Sequence, residues 1–491
     1  MKTTLLRRSL VSLFVVGVTL GVAGSASAND GDLDTTWGSS GVANVPITSD
    51  AWGDVVRPYG TNKVVVAGLT QSAAAGWDMS YVARFNDDGT PDTTCNGTGY
   101  NSHQGPDDFL ATDMAVLADG SIVIVGLDLA ATPSGVVVKF TPSCQLDMSF
   151  GSGGVVSYTE RDGVAYQTLV VWNNRLIVGG RTYFSPADGG DSRFTVHRLD
   201  ATTGAFDTAF GGSGNGRFIS DSTHEGSVTD LVVANDGSIV FVGAQFGSNQ
   251  DTAVAKLMTS GVIDTTFATS GWLIPMGTED EAGRSIQQRA DGRLVVLEFS
   301  VNIVSAETTF SLLCLSANGT IDVSCGPSGR RTIIGLAGGS SQFFDLFIDS
   351  SERILVAGSA DDPTLGFSDF VPVVIRFLAT GTYDSAFGVS GIAVLPGVTA
   401  HSFSVSHDSS GRILVAGVDY GTVARAWVAR LDSTDLPTTS TTTTSTTTST
   451  ISPQLLPATG SNGSNSWPVI VMGLGLGLLL VRRFAIGHSA K

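Results

Sequence analysis

One pattern recurs seven times in this 491-residue chain and limits its fold more than any other feature: an Asp, an aromatic residue or Cys three positions on, and a Gly seven positions on. The Asp residues are Asp34, Asp92, Asp147, Asp207, Asp264, Asp322 and Asp384, spaced by 58, 55, 60, 57, 58 and 62 residues. The third position holds Trp37, Cys95, Phe150, Phe210, Phe267, Cys325 and Phe387. The Gly is Gly41, Gly99, Gly154, Gly214, Gly271, Gly329 and Gly391. A fixed period of this length means one supersecondary unit repeated, each copy burying its apolar face against the next. The 60 glycines and the low charged fraction of 15% suit short strands joined by tight turns.

From Gly31 to about Asp432 each period carries four strand-like runs. The third is the clearest: Lys63–Leu69, Ser121–Leu127, Arg175–Arg181, Ser238–Ala244, Arg293–Phe299, Arg353–Ser359 and Arg412–Val418. These runs are rich in Val, Ile and Leu, as a strand covered on both faces would be. Asp119-Gly120, Asp236-Gly237, Asp291-Gly292, Asn173-Asn174 or Ser410-Gly411 stands before most of them, and such pairs tolerate the positive φ of tight hairpins. Four antiparallel strands repeated seven times predict an all-β fold, a seven-bladed β-propeller of four-stranded blades. The two ends are complementary: the repeats start partway through the turn at Gly31-Asp32-Leu33-Asp34 and stop where that turn begins, at Arg430-Leu431-Asp432. A closed ring follows; an open solenoid would need atypical capping repeats, which the ordinary terminal repeats do not supply.

The flanks are different materials. Residues 1–28 read as an export leader: Lys2, Arg7 and Arg8, an apolar run from Leu10 to Val22, and the small-residue site Ala26-Ser27-Ala28. Residues 29–432 form the propeller region, and residues 433–455 are a Thr/Ser-rich linker with no material for a packed core. Residues 456–491 begin with Leu456-Pro457-Ala458-Thr459-Gly460 and continue through a polar spacer, the apolar run Trp467–Val481 and Arg482-Arg483. This tail resembles the cell-wall sorting signal of Gram-positive surface proteins. The resemblance implies that a sortase cleaves between Thr459 and Gly460 and joins Thr459 to the peptidoglycan cross-bridge. The short apolar run and the two Arg residues would hold the motif at the membrane only until sorting.

The repeats resemble the Delta-60 repeat, a β-propeller-type repeat of bacterial secreted proteins. Arg-Phe-Asn-Asp-Asp-Gly (84–89), Leu-Asp-Met-Ser-Phe-Gly-Ser-Gly-Gly (146–154) and Asp-Gly-Ser-Ile-Val (236–240) carry the likeness, over roughly residues 31–432. It implies a fold and no activity, because propellers host many functions.

The net charge of −18 becomes −24 without the six basic residues of leader and tail, Lys2, Arg7, Arg8, Arg482, Arg483 and Lys491. Such a surface repels nucleic acid and anionic lipid. Four cysteines in an exported chain allow two disulfides in three pairings. Cys314 replaces the base that stands eight residues before the repeated Asp as Arg84, Lys139, Lys256 and Arg376 (Arg198 stands nine before), and Cys325 follows in the same hairpin. Cys314–Cys325 is the natural pair, leaving Cys95–Cys144. No His partner makes any cysteine a nucleophile. The repeated Asp either caps its turn or pairs with that base, and the third-position aromatic packs between blades.

Antiparallel strands put the stereotyped turns on one face of the disc and the variable loops on the other, where binding is usually built. The candidate ligand face comprises Trp52, Trp77, Asp78, His103, Asp188, Asp191, His224, Glu225, Asp361 and Asp362, with Asp54, Asp113, Asp230 and Asp345 opening second strands on the same face. This acidic, aromatic-dotted face would hold a glycan, an extracellular protein or Ca²⁺, although no regular Ca²⁺ loop is present and no catalytic or metal-site motif is found. The three His (103, 224, 401) come from different repeats and make no zinc site by spacing. The leading expectation is a wall-anchored, non-enzymatic adhesion or display module. A surface enzyme on glycans would need two carboxylates converging near the ring axis, about 5–10 Å apart, one with a raised pKa. A purely structural wall component is the third reading.

Overall fold

The computed structural model describes residues 29–433 except 72–77, 106–107, 186–191, 276, 278, 303, 306, 336–340, 362–369 and 396–399. The leader, the linker from residue 434 on and the sorting motif lie outside the described residues, and so do Trp77, Asp188, Asp191 and Asp362.

Seven four-stranded antiparallel sheets form the blades of a propeller. Their inner strands are Ala51–Tyr59, Phe109–Val116, Val164–Trp172, Gly226–Val233, Asp280–Gln288, Ser341–Ile348 and Ala400–His407, for blades 1 to 7. The Val/Ile/Leu-rich runs are the second strands, such as Lys63–Gln71 and Ile122–Asp128, and they are almost wholly buried. The turn before them has the expected backbone: φ is positive at Gly120, Gly237, Gly292, Asn173, Asn174 and Gly411.

The sequence period and the blade are out of phase. The first run of each period is the outer strand of the preceding blade, so the first run of the chain closes the last blade. Val42–Asn44 pairs antiparallel with Ala424–Leu431 in the register Val42↔Ala429. Gly31 N–H donates to the Asp432 carbonyl at 2.9 Å and Asp432 N–H to the Asp32 carbonyl at 2.8 Å. Every blade is thus completed within residues 31–432, and among the described residues none takes a strand from outside this stretch.

The core lies between blades rather than within one layer. Val65, Ala67, Phe109, Met114 and Ile122 share one cluster between blades 1 and 2, and the seventh interface joins Trp37, Val64 and Tyr81 to Leu414 and Val428. At Asp34, Asp92, Asp147, Asp207 and Asp384 the repeated Asp fastens one such interface, and both sequence readings of it hold at once. In Asp92, Oδ1 accepts the N–H and hydroxyl of Thr94 (3.0 and 2.6 Å) while Oδ2 accepts Arg84 Nε at 2.7 Å. Burial pushes the Asp92 carboxyl up, but hydrogen bonds from Lys63, Thr94 and Arg84 outweigh it and hold the carboxyl well below its usual range. Arg84 Nη1 then reaches the Pro142 carbonyl of the next blade at 2.6 Å. Arg198 does the same to the Thr259 carbonyl at 2.7 Å, and Lys139 to that of Ala201 at 3.1 Å. For Asp34 the base is Arg430, from the opposite end of the repeat region, at 2.8 Å. The latch therefore also closes the ring.

The third-position aromatic packs against the turn of the next blade, where only a residue without a side chain fits. A Cβ on Gly261 would lie 2.6 Å from the Phe210 ring, and φ there is +79°. Both disulfides occupy this machinery. Cys95 takes the aromatic position and Cys144, at φ +59°, takes the turn glycine's place, so Cys95–Cys144 ties blade 1 to blade 2. Cys314–Cys325 replaces base and aromatic together, and Asp322 pairs with Arg293 instead, at 3.4 Å.

One assignment within the repeat changes. In the fourth copy the glycine that closes the turn is Gly216, not Gly214: Arg198 N–H donates to the Gly216 carbonyl and Gly216 N–H to that of Phe210. Base and glycine each lie nine residues from Asp207 here, because the turn has grown on both sides.

Candidate functional site

The seven inner strands surround an axial channel of about 500 Å³. Each carries a β-bulge at the same place, between Gly53/Val55, Ala111/Asp113, Tyr166/Thr168, Val228/Asp230, Gly283/Ser285, Phe343/Asp345 and Ser402/Ser404. A bulge bends its strand and re-aims the next side chain. The residues following it form a belt in blade order: Val55, Asp113, Thr168, Asp230, Ser285, Asp345, Ser404.

Carboxylate and hydroxyl alternate around this belt, and each Asp holds the following blade. Asp113 Oδ2 accepts Leu169 N–H at 2.7 Å, Asp230 Oδ2 accepts Ile286 N–H at 2.8 Å, and Asp345 Oδ2 accepts Val405 N–H at 3.0 Å. The hydroxyls of Thr168 and Ser404 donate to Asp230 Oδ1 and Asp345 Oδ2, each at 3.0 Å. A ring with an odd number of members cannot alternate throughout. The break falls at Val55, and Arg57 bridges it, reaching Asp113 Oδ1 at 2.9 Å and Ser404 Oγ at 3.4 Å.

The belt also brings two carboxyls to one hydroxyl. Ser285 Oγ lies 2.9 Å from Asp230 Oδ2 and 3.2 Å from Asp345 Oδ1. One hydroxyl has one proton to give, so it either splits that proton between the two in a three-centre bond or, for two full hydrogen bonds, meets one carboxyl that is protonated and donates in turn. The electrostatics favour the second. Burial pushes Asp230 up to about 7, opposed by the Ile286 N–H and reinforced by the charges of Asp345 and Asp113. Asp113 and Asp345 are also raised by burial, with Arg57 pulling both back.

These positions correct the sequence reading. Asp113, Asp230 and Asp345 do not open strands on the variable face; they sit mid-strand inside the channel, because the bulge turns them to the axis. Asp54 is the bulged residue itself, one position before the belt. Toward the variable face Trp52, Leu110 and Ala165 lie outside the channel lining and join Leu69, Leu127, Val418 and Ala424 in an apolar cluster crossing four blades. At the other end its lining runs on to Pro58, Val116 and Val171, next to the stereotyped turns. Trp52 is therefore core, 3% exposed, rather than a loop ligand.

Above the belt, the bulge of blade 5 places Arg284 in the channel wall. Its guanidinium lies over the rings of Phe299, Phe344 and Phe310, at 4.6, 5.0 and 5.7 Å from their centroids. It has no hydrogen-bond or ion-pair partner among the described residues, and its Nε is buried without one. Burial pulls its pKa down to about 10. Periodicity could not single it out, since an Arg in an amphipathic strand reads as solvated.

The remaining candidates stay apart. His103 meets the Phe109 ring edge-on at 6.1 Å, and burial lowers its pKa. His224 stacks on Trp272 at 4.2 Å, with Nδ1 3.2 Å from Asp221 Oδ1. Glu225 accepts Arg193 Nη1 at 2.8 Å. Asp78 begins the third strand of blade 1, and Asp361 ends the second strand of blade 6 opposite Phe370. His401 packs on Phe370 at 4.8 Å. Among the described residues no three His, Cys, Asp or Glu gather into a group that could hold a metal ion.

The fold and channel define the class: a closed seven-bladed β-propeller with a polar axis. Residues 60–94 and 234–267 match the sequence model of a domain of unknown function (DUF5122) beta-propeller. Each match runs from the turn before a second strand to the Asp motif, in blades 1 and 4. No curated protein matches the chain. Similar solved structures include the beta-propeller domain of the Trilobed protease from Pyrococcus furiosus, 10% identical over 79% of this chain and 100% of that one, with TM-score 0.40. Drosophila Semaphorin 2a is 7% identical over 82% and 76%, with TM-score 0.44. Sqt1 from Chaetomium thermophilum is 13% identical over 83% and 100%, with TM-score 0.41. Likenesses this distant bear on neither ligand nor reaction.

Proposed function

We propose that this chain is a wall-anchored, non-enzymatic binding module, displayed on its Thr/Ser linker to meet an extracellular protein or glycan. The observation that carries the reading is the belt. The three carboxylates that converge on the axis spend their oxygens on N–H groups and hydroxyls of neighbouring blades, which makes them ties rather than a free acid and base. Two disulfides and the Leu456–Gly460 pattern support a place outside the cell, with Thr459 as the residue joined to the cross-bridge.

The glycan-enzyme reading keeps one supporting fact: Asp230, with its pKa up at about 7, shares the Ser285 hydroxyl with Asp345. The two readings part in one experiment. Purified residues 29–433 are applied to a glycan array with and without Ca²⁺, and the bound glycans are then incubated with the protein and analysed for cleavage. The binding reading expects retention without turnover, unchanged in Asp230→Asn. Cleavage that disappears in Asp230→Asn would replace it with the enzyme reading.

A further inference from the structure

Within the channel wall the group left unexplained is Arg284. An arginine withdrawn from bulk water ordinarily meets a carboxylate or a set of carbonyl oxygens, because its five N–H donors are costly to leave unmatched. The arginines that precede the repeated Asp obey this: Arg84, Arg198, Arg376 and Arg430 each pair with the repeated Asp and continue to a neighbouring residue. Arg284 instead rests on three phenylalanine rings and borders open channel space.

We propose that the axial channel is a binding site for a small carboxylate, with the Arg284 guanidinium as its anion-binding group. This rests on the reading of the propeller as a binding module and is independent of wall anchorage. Three observations select the ligand. The rings of Phe299, Phe310 and Phe344 pack around the guanidinium at 4.6, 5.7 and 5.0 Å and offer it no oxygen, and a guanidinium left without a partner matches a carboxylate in two parallel hydrogen bonds. A single unpaired positive charge balances a single negative one. The belt carboxylates farther down the channel oppose any more highly charged anion, which disfavours phosphate. The volume of about 500 Å³ admits a molecule up to the size of one sugar acid.

The carboxylate could come from a free organic acid or from the uronate of a glycan, and the test separates them. Residues 29–433 are titrated by calorimetry with sodium acetate, sodium glucuronate, glucose and inorganic phosphate. The same titrations follow on Arg284→Met, which keeps the stacking on the rings and removes the charge, and on Arg284→Lys. Acetate and glucuronate should bind saturably, with glucuronate tighter if the natural ligand is a sugar acid; glucose and phosphate should not bind. Arg284→Met should weaken binding roughly ten- to hundred-fold, with Arg284→Lys between it and the parent. A thermal melt shows whether each variant is folded. Absence of any carboxylate binding, or binding unchanged in a folded Arg284→Met, would overturn the proposal. Because the assay uses soluble protein and defined probes, that result would leave the display reading standing on protein or neutral-glycan partners.

Discussion

At the scale of single residues, Asp230 makes the account quantitative. A carboxyl whose pKa is about 7 in the folded chain and about 3.9 when unfolded binds its proton more tightly in the folded state. The folded state then loses stability as pH rises from about 4 to about 7, and the whole cost is present above that window. Asn cannot titrate, and the hydrogen bonds it loses cost the same at every pH. Asp230→Asn should therefore gain on the parent by on the order of 2 kcal/mol between pH 5 and pH 8, read from urea unfolding at each pH. A difference between the two that stays flat with pH would mean the carboxyl is ionised throughout. The sequence displayed Asp113, Asp230 and Asp345 plainly but put them on the wrong surface. A bulge adds one residue to a strand without disturbing the apolar pattern on either side, so spacing cannot reveal where the following side chain points. Arg284 was invisible for the same reason.

At the scale of the repeated element, much of the architecture was legible because a physical demand recurs at each junction. The Asp must cap its turn and hold the base, and the aromatic must meet a bare turn. The departures are informative where both partners change together. Cys95 and Cys144 substitute for an aromatic and the glycine it covers, a correspondence visible by aligning Cys144 with Gly204, Gly261 and Gly319. Gly216 shows the limit of reading by fixed spacing. Its φ is +80° and a Cβ would lie 2.8 Å from that of Phe206, whereas at Gly214 the nearest atom is the Thr208 carbonyl oxygen at 3.4 Å. Gly216→Ala should cost about 2–4 kcal/mol and Gly214→Ala about 1 kcal/mol in denaturant unfolding. Equal losses would return the turn-closing role to the position that spacing picks out.

At the scale of the whole molecule, the out-of-phase repeat is the device that closes the ring. By lending its first strand to blade 7, the chain ties its start to its end through Asp34 and Arg430, with both side chains less than a tenth exposed. Breaking one partner of such a pair leaves a charge uncompensated, so closure is strongly enforced. A ring built this way keeps its axis fixed, and in the proposed function the sequence beyond Ser433 would serve as a tether. The functional account turns on that tether ending on the cell wall. The direct measurement is the mass of the C-terminal peptide of the protein released from walls by a peptidoglycan hydrolase. The account predicts a peptide ending at Thr459 and carrying cross-bridge residues. A chain that still ends at Lys491, or that detergent alone extracts, would contradict it.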